Sequence, residues 1–112
     1  MNPSGLKETF ARRTRDWAAR LDVRVRAVTI RKMRTKWASC STAARLTFDE
    51  SLLEQPRDLQ DYVIVHELLH VQVPNHGLLW KSLMRAHLGD YEALERRLQR
   101  ALNHGSRSPS RR

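Results

Sequence analysis

Apolar positions recur along this 112-residue chain in changing registers, and each change of register predicts a change of element. Between residues 4 and 21, Leu6, Phe10, Trp17 and Leu21 form the stripe of an amphipathic helix. From Asp22 the pattern switches. Val23 and Val25 alternate with arginines and β-branched residues continue to Ile30, which predicts an extended segment over "DVRVRAVTIRK". "KWASCSTAARLTF" predicts a second strand, a short turn near Thr42 to Ala44, and a third strand ending at Phe48. "DESLLEQ" reads as one helical turn that Pro56 ends. Asp58 is placed to cap a helix running from Leu59 to about Val73, where Pro74 forces a break. Asn75 can cap the next helix, "HGLLWKSLMRAHL", which Gly89 closes. Asp90 can cap a last helix with Tyr91, Leu94, Leu98 and Leu102 on one face. No repeat or long linker divides the chain. The pattern predicts a single α+β domain over residues 1–104 and a disordered, basic tail over 105–112.

The helix over 59–73 carries the chemistry. Its middle, "YVIVHELLH", is apolar almost all round, which predicts a central, buried helix. Into it are set His66, Glu67 and His70. Positions i and i+4 share a helix face about 5–6 Å apart, so two imidazole nitrogens can reach one ion at about 2.0–2.1 Å each. Glu67 lies about 100° round the helix from His66, where it flanks such an ion without binding it and can take a proton from a water the ion activates. A catalytic zinc usually has three protein ligands. His76, just past the break at Pro74, is the natural third; His87 and His104 read as surface or cap histidines. The alternative, a buried helix with hydrogen-bonded histidines, costs several kcal/mol wherever those polar groups are unpaired. A bound cation removes that cost.

Composition changes this picture little. The formal charge of +9 comes from 17 Arg and 4 Lys against 12 acidic residues, scattered over the first helix, the strands and the last helix. Without a recognition module or aromatic stacking pattern, the charge reads mainly as solvated faces, with weak nucleic-acid association through the basic surface as the competing reading. The single cysteine, Cys40, forms no internal disulfide, the longest apolar run is too short to span a membrane, and the N-terminus has no secretory core. A cytoplasmic monomer is expected. Cys40 reads as a small residue packed in a strand against the helix, and Trp17, Trp37 and Trp80 as core anchors.

"RTKWASCS", "LQDYVIVHELLHVQVPNHGLLW" and the spacing between them resemble the YgjP-like metallopeptidase domain, a family of predicted metal-dependent hydrolases similar in motif to the SprT and WLM zinc proteases. The resemblance covers roughly residues 20 to 98. It implies a minimal zincin-like fold: a small three-stranded sheet packed on the central HExxH helix, with flanking helices. It also implies one zinc ion on His66, His70 and His76, and Glu67 as general base. Asn75, His76 and Trp80 match the family's "NH…FW" segment, with Leu79 where Phe is usual. Two departures stand out: Ala38 replaces the glycine of the family's "WGSCS", and Asp49 stands where Asn is usual. Relatives usually carry a longer β-rich N-terminal region.

The expected reaction is metal-assisted hydrolysis of a peptide bond in a peptide or protein substrate. Two rivals share the site. A nucleoside triphosphate pyrophosphohydrolase would draw its phosphate contacts from the basic surface, but the chain has no glycine-rich phosphate loop and no carboxylate cluster for magnesium. A DNA-associated, SprT-like protease would show steeply salt-dependent binding.

Overall fold

A computed structural model describes residues 3–34, 36–73 and 77–103. Helix α1, Pro3–Leu21, precedes three strands, β1 (Ala27–Arg31), β2 (Ala38–Cys40) and β3 (Arg45–Asp49). A 3-10 turn over Glu50–Glu54 leads into α2 (Arg57–Gln72), α3 (Leu78–Leu88) and α4 (Tyr91–Asn103). His104 and the basic tail lie outside the described residues. No helix among the described residues is long and apolar enough to cross a membrane.

The extended segment is shorter than its alternation predicts, because α1 ends in a local closure that consumes Asp22 and Val23. Asp22 adopts a left-handed φ of 58°. Its N–H bonds Ala19 O at 3.2 Å, and that of Val23 reaches back to Ala18 O at 2.8 Å. This is the paired bonding of a Schellman motif, with aspartate in the place glycine usually takes. Val23 is buried by that closure rather than by a strand. Only Ala27–Arg31 joins the sheet.

The strand order is β1-β3-β2. β3 pairs in parallel with β1 and antiparallel with β2. The β2–β3 turn falls where the sequence places it: Ala44 N–H bonds Ser41 O at 3.0 Å, and Ala44 takes the left-handed φ of 60° that such a three-residue loop needs. β3 runs one residue past Phe48, to Asp49. Alternation sends Leu46 and Phe48 into the core, where Phe48 meets Phe10 of α1 edge-on at 5.0 Å.

Asp49 closes the end of the sheet. Its carboxylate is buried; it accepts the Met33 N–H at 2.7 Å and the Ser51 N–H at 3.0 Å, and bonds the Ser51 hydroxyl. One residue therefore caps the 3-10 turn and pins the chain that crosses from β1 to β2.

α2 is the hub, buried continuously from Tyr62 to Leu69, as an all-round apolar sequence requires. Its start differs from expectation. Pro56, not Asp58, is the N-cap residue, and Asp58 sits in the first turn, paired with Arg97 of α4 at 2.7 Å. A proline there fixes φ without wasting a donor, which frees Asp58 for the tertiary contact. Arg13 of α1 bonds Gln60 and Asp61, and the Trp17 indole N–H reaches Asp61 at 3.0 Å, so α1 is locked along α2. At the other end Gln72 donates to the carbonyls of Leu21 and Asp22. α3 starts at Leu78 with Gly77 as its cap residue, while Pro74, Asn75 and His76 lie outside the described residues. Gly89 ends α3 at φ 69°, and Asp90 accepts the Ala93 N–H at 3.2 Å, as expected. Tyr91 and Leu98 are buried and Leu94 is half-buried on one face of α4; the Leu102 side chain is outside the described part.

Candidate metal centre

The middle of α2 brings Tyr62, His66 and His70 onto one face at successive four-residue steps. The His66 and His70 ring centroids are 4.7 Å apart, with the rings nearly perpendicular. Two imidazoles that each give one nitrogen to a tetrahedral ion have centroids about 5 Å apart, from bond lengths of about 2.0–2.1 Å. The pair is therefore spaced as one ion requires.

Burial is graded across the three residues. Glu67 is fully buried, His66 is 7% exposed and His70 is half-buried, so the site opens toward the C-terminal end of the helix. A Glu67 carboxylate oxygen lies 3.3 Å from His66 Nδ1. Glu67 thus stands beside the first imidazole rather than between the two.

Trp80 is a part of this site that sequence reasoning assigned only to the core. Its ring meets His66 edge-on at 5.2 Å and lies over His70 at 6.2 Å and 29°. Tyr91 of α4 backs it at 5.9 Å, edge-on. α3 therefore closes one side of the histidine pair with a rigid aromatic wall. Tyr62 closes another, its ring 5.7 Å from His66. Burial, reinforced by the nearby Glu95 carboxylate, holds the Tyr62 phenol protonated far above its usual range. The signal was present in the sequence as an aromatic one turn before His66 and another four residues after His76.

Among the described residues, no group of three His, Cys, Asp or Glu side chains comes together as a complete metal cage. His76 lies outside those residues. His87, expected at a surface or cap, sits half-buried in the last turn of α3 with its ring edge-on to Trp17 at 6.3 Å. Cys40 is half-buried on β2, packed against the core. All three tryptophans are buried.

The fold and this helix can be set beside known proteins. Among solved structures, the metallopeptidase zymogen jannalysin of Methanocaldococcus jannaschii superposes with a TM-score of 0.65 at 19% identity, over 91% of this chain and 98% of that one. The zymogen abylysin of Pyrococcus abyssi superposes with a TM-score of 0.70 at 18% identity, over 96% and 99%. At that identity the likeness is one of fold, shared by both metallopeptidase zymogens. No curated protein matches the chain significantly. The family profile described as "YgjP-like, metallopeptidase domain" matches residues 3–101, so the resemblance extends through α1 rather than beginning near residue 20. A match over nearly the whole chain makes this protein a member of the YgjP-like metallopeptidase family, a metal-dependent hydrolase.

Proposed function

We propose that the chain is a zinc-dependent peptidase with a single ion held by His66, His70 and His76 and with Glu67 as the general base. The observation that carries this reading is the imidazole pair, 4.7 Å apart on one face of a buried helix with the Glu67 carboxylate beside it. His76 suits the third place because it directly precedes Gly77, the cap of the helix whose Trp80 lies against both imidazoles. When bound, zinc supplies a Lewis acid that acidifies water and polarises a carbonyl.

The chain's own groups do the remainder. Glu67 accepts a proton at its carboxylate from the attacking water and returns it to the leaving amine. Its position in the buried helix keeps it from competing as a ligand. Trp80 and Tyr62 fix the planes of the two imidazoles and exclude bulk water from their flanks.

Metal analysis of the purified protein beside His76→Ala tests the ligand set. About one zinc in the parent and much less in the variant is expected; equal zinc in both removes His76 from the site. Glu67→Gln should keep the zinc and lose peptide hydrolysis, and full activity in that variant would end its assignment as base. Pyrophosphate release from nucleoside triphosphates with no peptide cleaved would move the substrate to the phosphoanhydride class.

A further inference from the structure

The basic charge is less evenly spread than the sequence implies. Arg31, Lys32, Arg34 and Lys36, with the buried Met33 and with Ser39 of β2, line one open cleft of about 440 Å³. All four cations are exposed. None of them is in an ion pair with a described residue, whereas Lys7, Arg13, Arg85 and Arg97 each have a carboxylate partner. The carboxylate beneath this stretch is Asp49, engaged by Met33 and Ser51. Like charges gathered on one wall repel each other, and the Asp49 contact holds the loop in place against that repulsion.

The sheet continues the surface. Opposite to the core-facing Leu46 and Phe48, the register aligns Thr29, Thr47 and Ser39 across all three strands. Alternation puts exposed Arg31 and Arg45 on that same outer face, two residues along their strands from the row of hydroxyls and on opposite sides of it. The large exposed apolar side chains among the described residues, Leu78 (85%) and Leu79 (61%), are instead on α3. Among the described residues, the cleft lining also holds no aromatic ring. A surface of cations and hydroxyl donors, without apolar pockets or stacking platforms, suits phosphate oxygens rather than peptide side chains or unstacked bases.

We propose that the cleft formed by Arg31, Lys32, Arg34 and Lys36, together with the outer face of the sheet, binds the phosphodiester backbone of duplex nucleic acid without reading its sequence. Three to four phosphates neutralised there give a slope of log K against log salt of about −3 to −4. Binding is independent of the hydrolytic reading and should persist in Glu67→Gln.

The test is fluorescence anisotropy of the full chain with a labelled 20-base-pair DNA duplex, at salt from about 0.05 to 0.2 M. Arg34→Gln with Lys36→Gln removes two phosphate contacts; the slope should shrink by about 2 and affinity at 0.1 M salt should fall about 60-fold. Arg111→Gln with Arg112→Gln, an equal charge change in the basic tail, should cost much less. The proposal is overturned by any of three results: no binding at the lowest salt, an equal loss in the tail variant, or displacement of the duplex by polyglutamate as readily as by unlabelled DNA. Arg34 and Lys36 are exposed, and the circular dichroism and melting of both variants should match the parent.

Discussion

Removing the carboxylate of Asp49 should unfasten two parts of the structure at once. In Asp49→Ala the buried N–H groups of Met33 and Ser51 lose acceptors at 2.7 and 3.0 Å, and the Ser51 hydroxyl loses its partner. Hydrogen bonds to a charged group contribute about 1.5–3 kcal/mol each. Releasing a buried carboxylate from its desolvation offsets part of the two backbone bonds. The expected loss is about 3–4 kcal/mol, a large share of the roughly 5–15 kcal/mol typical of a small domain. At about 4 °C per kcal/mol for a chain near 100 residues, the melting temperature should fall by about 12–16 °C. Asparagine can still accept the Met33 N–H and donate to the Ser51 hydroxyl, but its amide then faces the Ser51 N–H donor to donor. Asp49→Asn should therefore cost only about 1–2 kcal/mol. Urea denaturation of parent and both variants measures this order directly. An alanine variant within about 1 kcal/mol of the parent, or an asparagine variant as weak as alanine, would refute the account of Asp49 as the fastening point.

Two further outcomes follow from the helices. Arg97 holds the Asp58 carboxyl below its ordinary value of 3.8 through a hydrogen bond, so the pair's stabilisation is present at neutral pH and is lost as pH falls through 3.8 and below. Both side chains are well exposed (43% and 50%), which limits the contribution to about 0.5 kcal/mol; Arg97→Gln should melt slightly lower than the parent at pH 7 and together with it near pH 3. Gly89→Ala meets no steric neighbour, yet φ 69° with ψ −124° is a region that L side chains rarely adopt. The variant should lose about 1–3 kcal/mol by urea denaturation while keeping its metal content, and a neutral result would mean that the α3–α4 link is not strained by a side chain.

The sequence was most readable where the controlling physics is local. Helical periodicity placed α1, α2, α3 and α4 to within a few residues, and the i, i+4 spacing alone put His66 and His70 on one face. What it misjudged was set by contacts across the chain. Asp58 has the chemistry of a cap, but Arg97, 39 residues away, engages it instead. Val23 alternates like a strand residue, but the closure of α1 buries it first. Parallel pairing of β1 with β3 leaves no mark on either strand's own pattern. Trp80 was legible as buried, whereas its place against both imidazoles depends on how α3 packs on α2. In the same way, whether a given arginine is neutralised depends on which carboxylates the fold brings near it, and a count of charges does not contain that information.

The middle position of β3 also has a consequence for how the molecule is made. β1 and β2 do not touch as neighbours in the sheet; each pairs only through β3, the last of the three to leave the ribosome. A nascent chain ending before Arg45 thus has two strands and no sheet. When Arg45–Asp49 emerges, the hairpin with β2 can zip from its turn at low entropic cost, and β1, 18 residues upstream in register, joins by a longer closure. The same five residues bring the Phe48 contact to α1 and the Asp49 contact to the crossing chain. Assembly of this half of the protein waits on one short segment, and α2 with its histidines leaves the ribosome after it.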